Sequence, residues 1–331
     1  MRIALALCAL LLCSGCETLS YYAQAISGQL GVMASARPLD AWLADPSTPH
    51  ELRQRLETAH RIRDFASRNL GLPDNGSYTS YAELGRPFVV WNVFAAPAFS
   101  VEPRRQCFPF TGCVPYLGFF SERDAQREAA KLKREGLDVY VGGVLAYSTL
   151  GWFNDPLLST FIRYPDAQVA RLVFHELAHQ TVYAKGDTTF NESFAVVVEE
   201  EGVRRWLASR GHEADLAAFE AAQARKRSFA AAVKETRARL AQIYASGLSD
   251  EAVRDKKRAE FDRLRAQFPR AVPAEPNNAF LASVALYTEM VPGFERLLAA
   301  SGGDLKKFYA RARELAAIDR KERDTLLAQR P

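Results

Sequence analysis

Residues 173–194, VFHELAHQTVYAKGDTTFNESF, contain the pattern from which the rest of the chain is best interpreted. His175, Glu176 and His179 follow the spacing His-Glu-x-x-His. On a helix, residues four apart lie one turn apart on nearly the same face, so both imidazoles can bind one zinc ion. A glutamate beside them can accept a proton from a water that the ion polarises. The motif therefore predicts a zinc site in which Glu176 is the general base.

The residues around the motif predict a buried helix. Asp166, which follows Pro165, is a candidate N-cap, and Gly186 stands at a natural C-cap position. Apolar side chains lie on more than one face of this helix, namely Leu172, Val173, Leu177 and Val182. Buried polar groups without partners are costly, and a metal ion would supply those partners. The alternative is a structural pair of histidines that other protein groups satisfy.

The third ligand has to come from another element, and Glu192 is the candidate. Glu192 and Glu199 are two helical turns apart, so they share a face but lie about 10 Å apart, and only one can bind the ion. If residues 187–191 run back in an extended conformation, Glu192 reaches the metal. If a helix starts directly after Gly186, Glu199 or Glu200 lies opposite the two histidines instead. Spacing alone leaves both arrangements open.

The order HELAH followed by NESFA resembles the gluzincin arrangement of thermolysin-like peptidases and the large zinc aminopeptidases. In that arrangement the glutamate of the Asn-Glu pair, at the start of the next helix, is the third zinc ligand. The resemblance therefore implies that Glu192 has this role. The chain departs from those families in one respect, because only twelve residues separate His179 from Glu192.

A longer part of the chain, residues 107–298, resembles a family of bacterial aminopeptidase lipoproteins. The shared segments are CFPFTGCVPYLGFF, VYVGGVLAYSTLGWFNDP, HELAHQTVY, NESFA and NNAFLASVALYTEMVPGFERLL. The resemblance implies removal of N-terminal residues from peptide substrates, with one Zn²⁺ per chain. The alternatives are a zinc endopeptidase and a non-enzymatic envelope lipoprotein with a structural metal. A structural zinc usually has four protein ligands, and the sequence offers no clear fourth one.

The first sixteen residues, MRIALALCALLLCSGC, combine one positive charge with an apolar run too short to span a bilayer as a stable helix. This pattern predicts an export signal over residues 1–15. The ending LLCSGC resembles a bacterial lipobox, which implies that Cys16 is lipidated and anchors the protein to a membrane. Because Glu17 is not aspartate, the resemblance implies the periplasmic side of the outer membrane. An ordinary signal peptide and an uncleaved hydrophobic anchor are the alternatives.

The five cysteines agree with an exported chain. Cys8 and Cys13 lie in the predicted signal, and Cys16 is the predicted lipidation site. Cys107 and Cys113 remain, and an oxidising compartment favours a disulfide between them. Two free thiols, or half of a metal site, are the alternatives.

The composition is that of an ordinary globular protein. The chain has 331 residues, of which 48% are hydrophobic and 25% charged. A net charge of +4 gives no indication of nucleic-acid binding, and protein partners are unknown. We expect an α+β, predominantly helical fold with a zincin-like core. It should form one catalytic unit over residues 16–331, with a cleft-edge strand before residue 166, zinc-binding helices over 166–210 and a helical part over 211–331.

Periodicity and turn residues predict the individual elements. We expect helices over residues 50–70, 122–136 and 278–291, and a hairpin of two helices within 212–270. Strands are expected over residues 87–101 and within 137–153. In the latter, residues 144–151 are a candidate for the sheet edge that binds substrate, with Tyr147 and Ser148 near the cleft. An ordinary buried strand is the alternative.

Three further residues are candidates for roles in the site. Tyr287 lies in a segment shared with the aminopeptidase lipoproteins and is a candidate to stabilise an oxyanion. Tyr183, one turn after His179 on the same predicted face, is its rival, and core packing is the alternative for both. Glu199 could hold a ligand histidine or the α-amine of a substrate. A solvated helix face is the ordinary interpretation of residues 199–201.

Overall fold

A computed structural model describes residues 2–108, 112–211 and 213–328, and their side chains from residue 18 onward. The fold is α+β and mostly helical. The helices in this part of the chain are α1 (Arg2–Ala34), α2 (Leu39–Ala44), α3 (His50–Leu70), α4 (Glu122–Arg134), α5 (Asp166–His179), α6 (Thr188–Ser209), α7 (Glu213–Tyr244), α8 (Asp250–Gln267), α9 (Asn278–Thr288), α10 (Val291–Ala300), α11 (Leu305–Ala317) and α12 (Arg320–Ala328). The strands are β1 (Ala36–Pro38), β2 (Ser80–Ala82), β3 (Val90–Pro97), β4 (Gln106–Phe108), β5 (Gly112–Val114), β6 (Tyr116–Phe119), β7 (Leu137–Val144) and β8 (Leu157–Leu158).

The predicted helices are present, and α3 shows why periodicity found them. Leu52, Leu56, Ala59 and Ile62 recur every three or four residues and are buried along one side of α3. The helix ends at Gly71, which adopts the left-handed conformation that favours glycine. The expected helical hairpin is formed by α7 and α8, and α4 and α9 begin within one residue of their predicted starts.

The main sheet is antiparallel with the order β6-β3-β7. Its central strand, β3, is buried over seven of its eight residues, which agrees with the apolar run that predicted it. A second small sheet has the order β1-β2-β8, and β4 and β5 form a hairpin. Cys107 and Cys113 face each other across this hairpin and form the predicted disulfide.

The second predicted strand is shorter than expected, because β7 ends at Val144. Residues 145–156 form a loop that folds around the Asp155 side chain. The carboxylate of Asp155 accepts hydrogen bonds from the backbone nitrogen of Thr149 and from its hydroxyl, both at 2.8 Å. The prediction of a substrate-binding strand over residues 144–151 is therefore wrong. These local side-chain bonds satisfy the backbone in place of a strand partner.

The helices that position the site pack around α6. The zinc-motif helix α5 lies between α3 and α6, and α6 also packs against α9, which in turn covers β3 and β7. This arrangement brings the sheet, α5 and α9 to one region of the molecule.

The N-terminal predictions fall largely outside the described side chains. The side chains of the predicted signal and of Cys16 are not among them, so the lipid anchor stays a prediction. Among the described residues, no helix has the length and apolar character needed to cross a membrane.

Candidate metal centre

The zinc-motif helix differs from its prediction at both ends. Pro165 occupies the N-cap position, so Asp166 is the first helical residue, and its carboxylate pairs with Arg55 at 3.4 Å. The helix ends at His179, seven residues before Gly186, and its C-cap is Gln180. Residues 180–187 form the loop that returns the chain to α6, and Gly186 lies in this loop with a φ of 77°.

The start of α6 places Glu192 opposite the two histidines. Asp187 is the N-cap of α6, and its carboxylate accepts a hydrogen bond from the backbone nitrogen of Phe190 at 3.1 Å. The Asn191 side chain bonds both backbone groups of Ala184, at 2.7 and 2.9 Å, which fixes the loop to the helix. A helix does begin just after Gly186, yet Glu192 is the glutamate that lies opposite the two histidines. The reason is that α5 ends at His179, earlier than expected.

The three predicted ligands converge in the structure. The Nε2 atoms of His175 and His179 are 3.2 Å apart, and Glu192 Oε2 lies 3.1 Å from the first and 3.7 Å from the second. All three residues are buried and could hold a metal ion. Zinc bonds of about 2.1 Å in a tetrahedron place ligand atoms about 3.4 Å apart, so these separations fit zinc.

Glu199 contacts Nδ1 of His175, the ring nitrogen that does not face Glu192 and His179. Its carboxylate lies 2.9 Å from Nδ1 of His175 and 3.1 Å from the guanidinium of Arg171. A carboxylate in this position fixes a ligand histidine so that Nε2 faces the metal. Because both of its carboxylate oxygens already bond Arg171 or His175, Glu199 is not free to bind the α-amine of a substrate.

The electrostatics of the centre favour positive charge. Burial by itself lowers the pKa of His175, but hydrogen bonds to Glu192 and Glu199 raise it to about 10. Burial raises the pKa of Glu192, yet the charge of His179 and the hydrogen bond to His175 lower it to about 2. The carboxylates thus stay ionised and attract a cation, which a divalent metal can supply.

Glu176 lies in the same buried layer but is held differently. Its side chain is 6% exposed, and among the described residues none donates a hydrogen bond to its carboxylate. Burial raises its pKa, although the neighbouring His175 and His179 lower it. A raised carboxyl pKa is suited to general base catalysis near neutral pH.

The two candidate tyrosines have different surroundings. Tyr287 on α9 has its ring centre 6.4 Å from that of His175. Burial and the charge of Glu192 raise the pKa of Tyr287 well above its ordinary value. Tyr183 is half-exposed and lies in the loop after α5, so the prediction that it continues a helix face is wrong.

Sequence reasoning missed several residues that shape the site. Arg171, the partner of Glu199, lies one turn before His175 on α5, and helical spacing could have indicated it. Tyr116 stands within the shared segment CFPFTGCVPYLGFF and packs against Phe94, with ring centres 5.1 Å apart, in the apolar cluster that Tyr287 also contacts. The buried pair of Asp187 and Arg323, at 2.8 Å, joins residues far apart in the chain and has no local signal.

Comparison with known proteins adds one match. The model of a family described as "Putative aminopeptidase" matches residues 20–327, a range that includes every residue of the candidate centre. No curated protein matches the chain, and no solved structure does.

Proposed function

Because the chain belongs to the family described as "Putative aminopeptidase", we propose that it is a zinc-dependent aminopeptidase that removes N-terminal residues from peptides. The observation that carries the zinc part of this proposal is the approach of two imidazole nitrogens and one carboxylate oxygen to within 3.7 Å of one another. Support for peptide hydrolysis comes from the family and from Glu176 beside these ligands.

The donor set favours a catalytic rather than a structural ion. Two histidines and a glutamate are the ligands of many catalytic zinc sites, which keep one position open. Structural zinc usually takes four protein ligands, and the described part of the chain offers three here. A bound zinc ion would polarise a water molecule and the scissile carbonyl group.

The residues of the chain would then have distinct tasks. Glu176 accepts a proton from the attacking water and passes it to the nitrogen of the leaving amine. Glu199 keeps the Nδ1 proton of His175 in place, so that Nε2 remains available to the metal. The hydroxyl of Tyr287 donates a hydrogen bond to the oxygen that becomes negatively charged.

We also propose export and anchoring through a lipid on Cys16, at the periplasmic face of the outer membrane. The disulfide between Cys107 and Cys113 supports an oxidising compartment. Recovery of the mature protein in the soluble periplasmic fraction would contradict the anchor.

The proposal is tested by zinc analysis and peptide digestion with the Glu176→Gln variant. We expect one zinc per wild-type chain after purification without chelator, and release of free amino acids from unblocked peptides but not from N-acetylated ones. The variant should keep its zinc and melting temperature and lose activity by about 10²- to 10⁴-fold, because the base is gone.

A matched control is Glu201→Gln, which changes a glutamate that pairs with Arg204 at 2.7 Å on the other face of α6. It should hydrolyse peptides at the wild-type rate. Equal turnover by wild type and Glu176→Gln would disprove the mechanism. Cleavage of N-acetylated peptides at internal bonds would show an endopeptidase instead.

A further inference from the structure

Tyr78 combines three features that ordinary core packing does not explain. Its side chain is 1% exposed, and its buried hydroxyl has no hydrogen-bond partner among the described residues. Its φ is 64°, in the left-handed region that is unfavourable for a bulky side chain. Buried polar atoms without partners and strained backbones of this kind are both enriched at functional sites.

Three elements hold the backbone of Tyr78 in this conformation. The nitrogen of Tyr78 donates to the carbonyl oxygen of Asp155 at 2.6 Å. The buried guanidinium of Arg63, on α3, donates to the carbonyl of the preceding Ser77 at 2.7 Å. Gln180, the C-cap of the zinc-motif helix, donates to the Ser77 hydroxyl at 3.2 Å. The position of Tyr78 is therefore fixed relative to the zinc-motif helix by contacts that offset the strain.

The segment that carries Tyr78 lies against the end of α5, because Gln180, which bonds the neighbouring Ser77, follows Glu176 by one helical turn. After burial, the negative charge of Glu176 is the largest contribution that raises the pKa of Tyr78. The Glu176 carboxylate receives no hydrogen bond from any residue in the described ranges. The phenol of Tyr78 can donate a hydrogen bond and the ionised carboxylate of Glu176 can accept one, so the two groups are complementary.

The other polar groups around Tyr78 are already engaged. The Asp155 carboxylate accepts hydrogen bonds from the nitrogen and hydroxyl of Thr149, all within 3.0 Å. The hydroxyl of Tyr147 contacts the side chain of Gln29 on α1. Of the two carboxylates whose charge raises the pKa of Tyr78, Asp155 is already bonded to Thr149, and Glu176 has no hydrogen bond from a described residue.

We propose that Tyr78 is a positioning residue, whose hydroxyl holds the Glu176 carboxylate toward the attacking water through one bridging water molecule. This inference rests on the proposed function. A carboxylate with a single fixed donor loses rotational freedom, and orientation of this kind contributes to the rate without contributing to substrate binding.

The first test is Tyr78→Phe, which removes only the hydroxyl. Zinc content and KM should be unchanged, the melting temperature should not fall, and kcat should fall about 10- to 100-fold, as expected for loss of a hydrogen bond to a charged group. The matched control is Tyr309→Phe. The Tyr309 side chain is 2% exposed, and its hydroxyl donates to the Leu70 carbonyl at 3.0 Å. This control should lower the melting temperature and leave kcat unchanged.

A merely structural hydroxyl would give the opposite pattern. Full kcat in Tyr78→Phe would overturn the proposal, and so would a loss of kcat that follows a loss of zinc or a lower melting temperature.

A second measurement does not depend on activity. Tyr78→Phe, Glu176→Ala and the double variant are compared in a double-mutant cycle of chemical unfolding in their zinc-loaded forms. Non-additive effects are expected if the two side chains interact, and additive effects would overturn the contact between them. If wild type hydrolyses no peptide but the cycle is non-additive, the proposed function fails while the contact stands.

Discussion

The two faces of α6 differ although the same residue type stands on both. Glu199, Glu200 and Glu201 are consecutive, yet Glu199 is 1% exposed and bonds His175 of the candidate centre, whereas Glu201 pairs with Arg204 and Arg205 on the outer side. Burial raises the pKa of Glu199, but Arg171 and His175 lower it to about 2. Burial and the charge of Glu199 raise the pKa of Glu200 to about 7.

This difference shows that the partners, and not the residue type, decide what a carboxylate on a helix does. Burial disfavours charge at both Glu199 and Glu200. Of these two residues, only Glu199 has both a guanidinium and a histidine within hydrogen-bonding distance, so it is the one that stays ionised at low pH. The site face of α6 is therefore defined by what α5 brings against it.

The largest expected effect comes from breaking the ion pair that fixes the start of α6. Arg323 lies 2.8 Å from the Asp187 carboxylate, and both side chains are almost fully buried. Arg323→Met would leave the Asp187 charge buried without this partner. We expect the free energy of unfolding, measured in urea, to fall by about 3–5 kcal/mol. Zinc affinity should fall with it, because Glu192 follows this N-cap.

Arg320→Met is the control for this prediction. Arg320 lies 3.9 Å from the same carboxylate, but its side chain is 45% exposed, so the loss should stay below about 1 kcal/mol. Equal effects of the two variants would show that the buried pair does not fix α6.

An intermediate effect is expected from Glu199→Gln on the site face. The amide cannot accept from both Arg171 and His175 as a carboxylate does, so the orientation of His175 is less well held. Zinc affinity, measured by competition with a chromogenic chelator, should fall about 10- to 100-fold. Glu201→Gln on the outer face should bind zinc as wild type does. Equal zinc affinity of both variants would contradict the role of Glu199 in orienting His175.

The smallest effect concerns Glu200 and depends on pH. A folded-state pKa of about 7, above the usual 4.5, means that the folded protein binds the proton more tightly than the unfolded chain. The stability that this gives is complete below pH 4.5 and is lost as the pH rises through 7.

Glu200→Gln should therefore unfold like wild type at about pH 4.5 and be more stable by about 1–2 kcal/mol at pH 8. Urea unfolding of the metal-free proteins across this range measures the difference. A constant offset at all pH values would contradict the raised pKa.

Much of the secondary structure could be predicted from local pattern. The apolar residues of α3 recur at helical spacing, and its predicted ends, residues 50 and 70, are confirmed. The apolar run over residues 87–101 predicts β3, but the strand itself is shorter and covers Val90–Pro97. The end of α5 could not be predicted, because Gln180 leaves the helix to bond Asn75 and Ser77 from a distant loop. Residues 145–156 carry strand-forming side chains, but the bonds between Thr149 and Asp155 outweigh that preference.

The candidate centre divides in the same way. His175, Glu176 and His179 were available from spacing, and a resemblance indicated Glu192. The sequence did not indicate the hydroxyl of Tyr78. Its distinguishing features are the absence of a partner among the described residues and a strained backbone, and neither can be detected from composition or periodicity.

The sequence by itself determined most of the elements and placed His175 and His179 on one face of a helix with Glu176 beside them, because short-range spacing on a helix fixes which side chains share a face. Only the tertiary structure decided that Glu192 approaches the two histidines, that Glu199 contacts the other ring nitrogen of His175, and that the buried Tyr78 hydroxyl has no partner among the described residues. Those choices depend on where a loop ends and on partners more than twenty residues away, and they are made by packing and charge rather than by local preference.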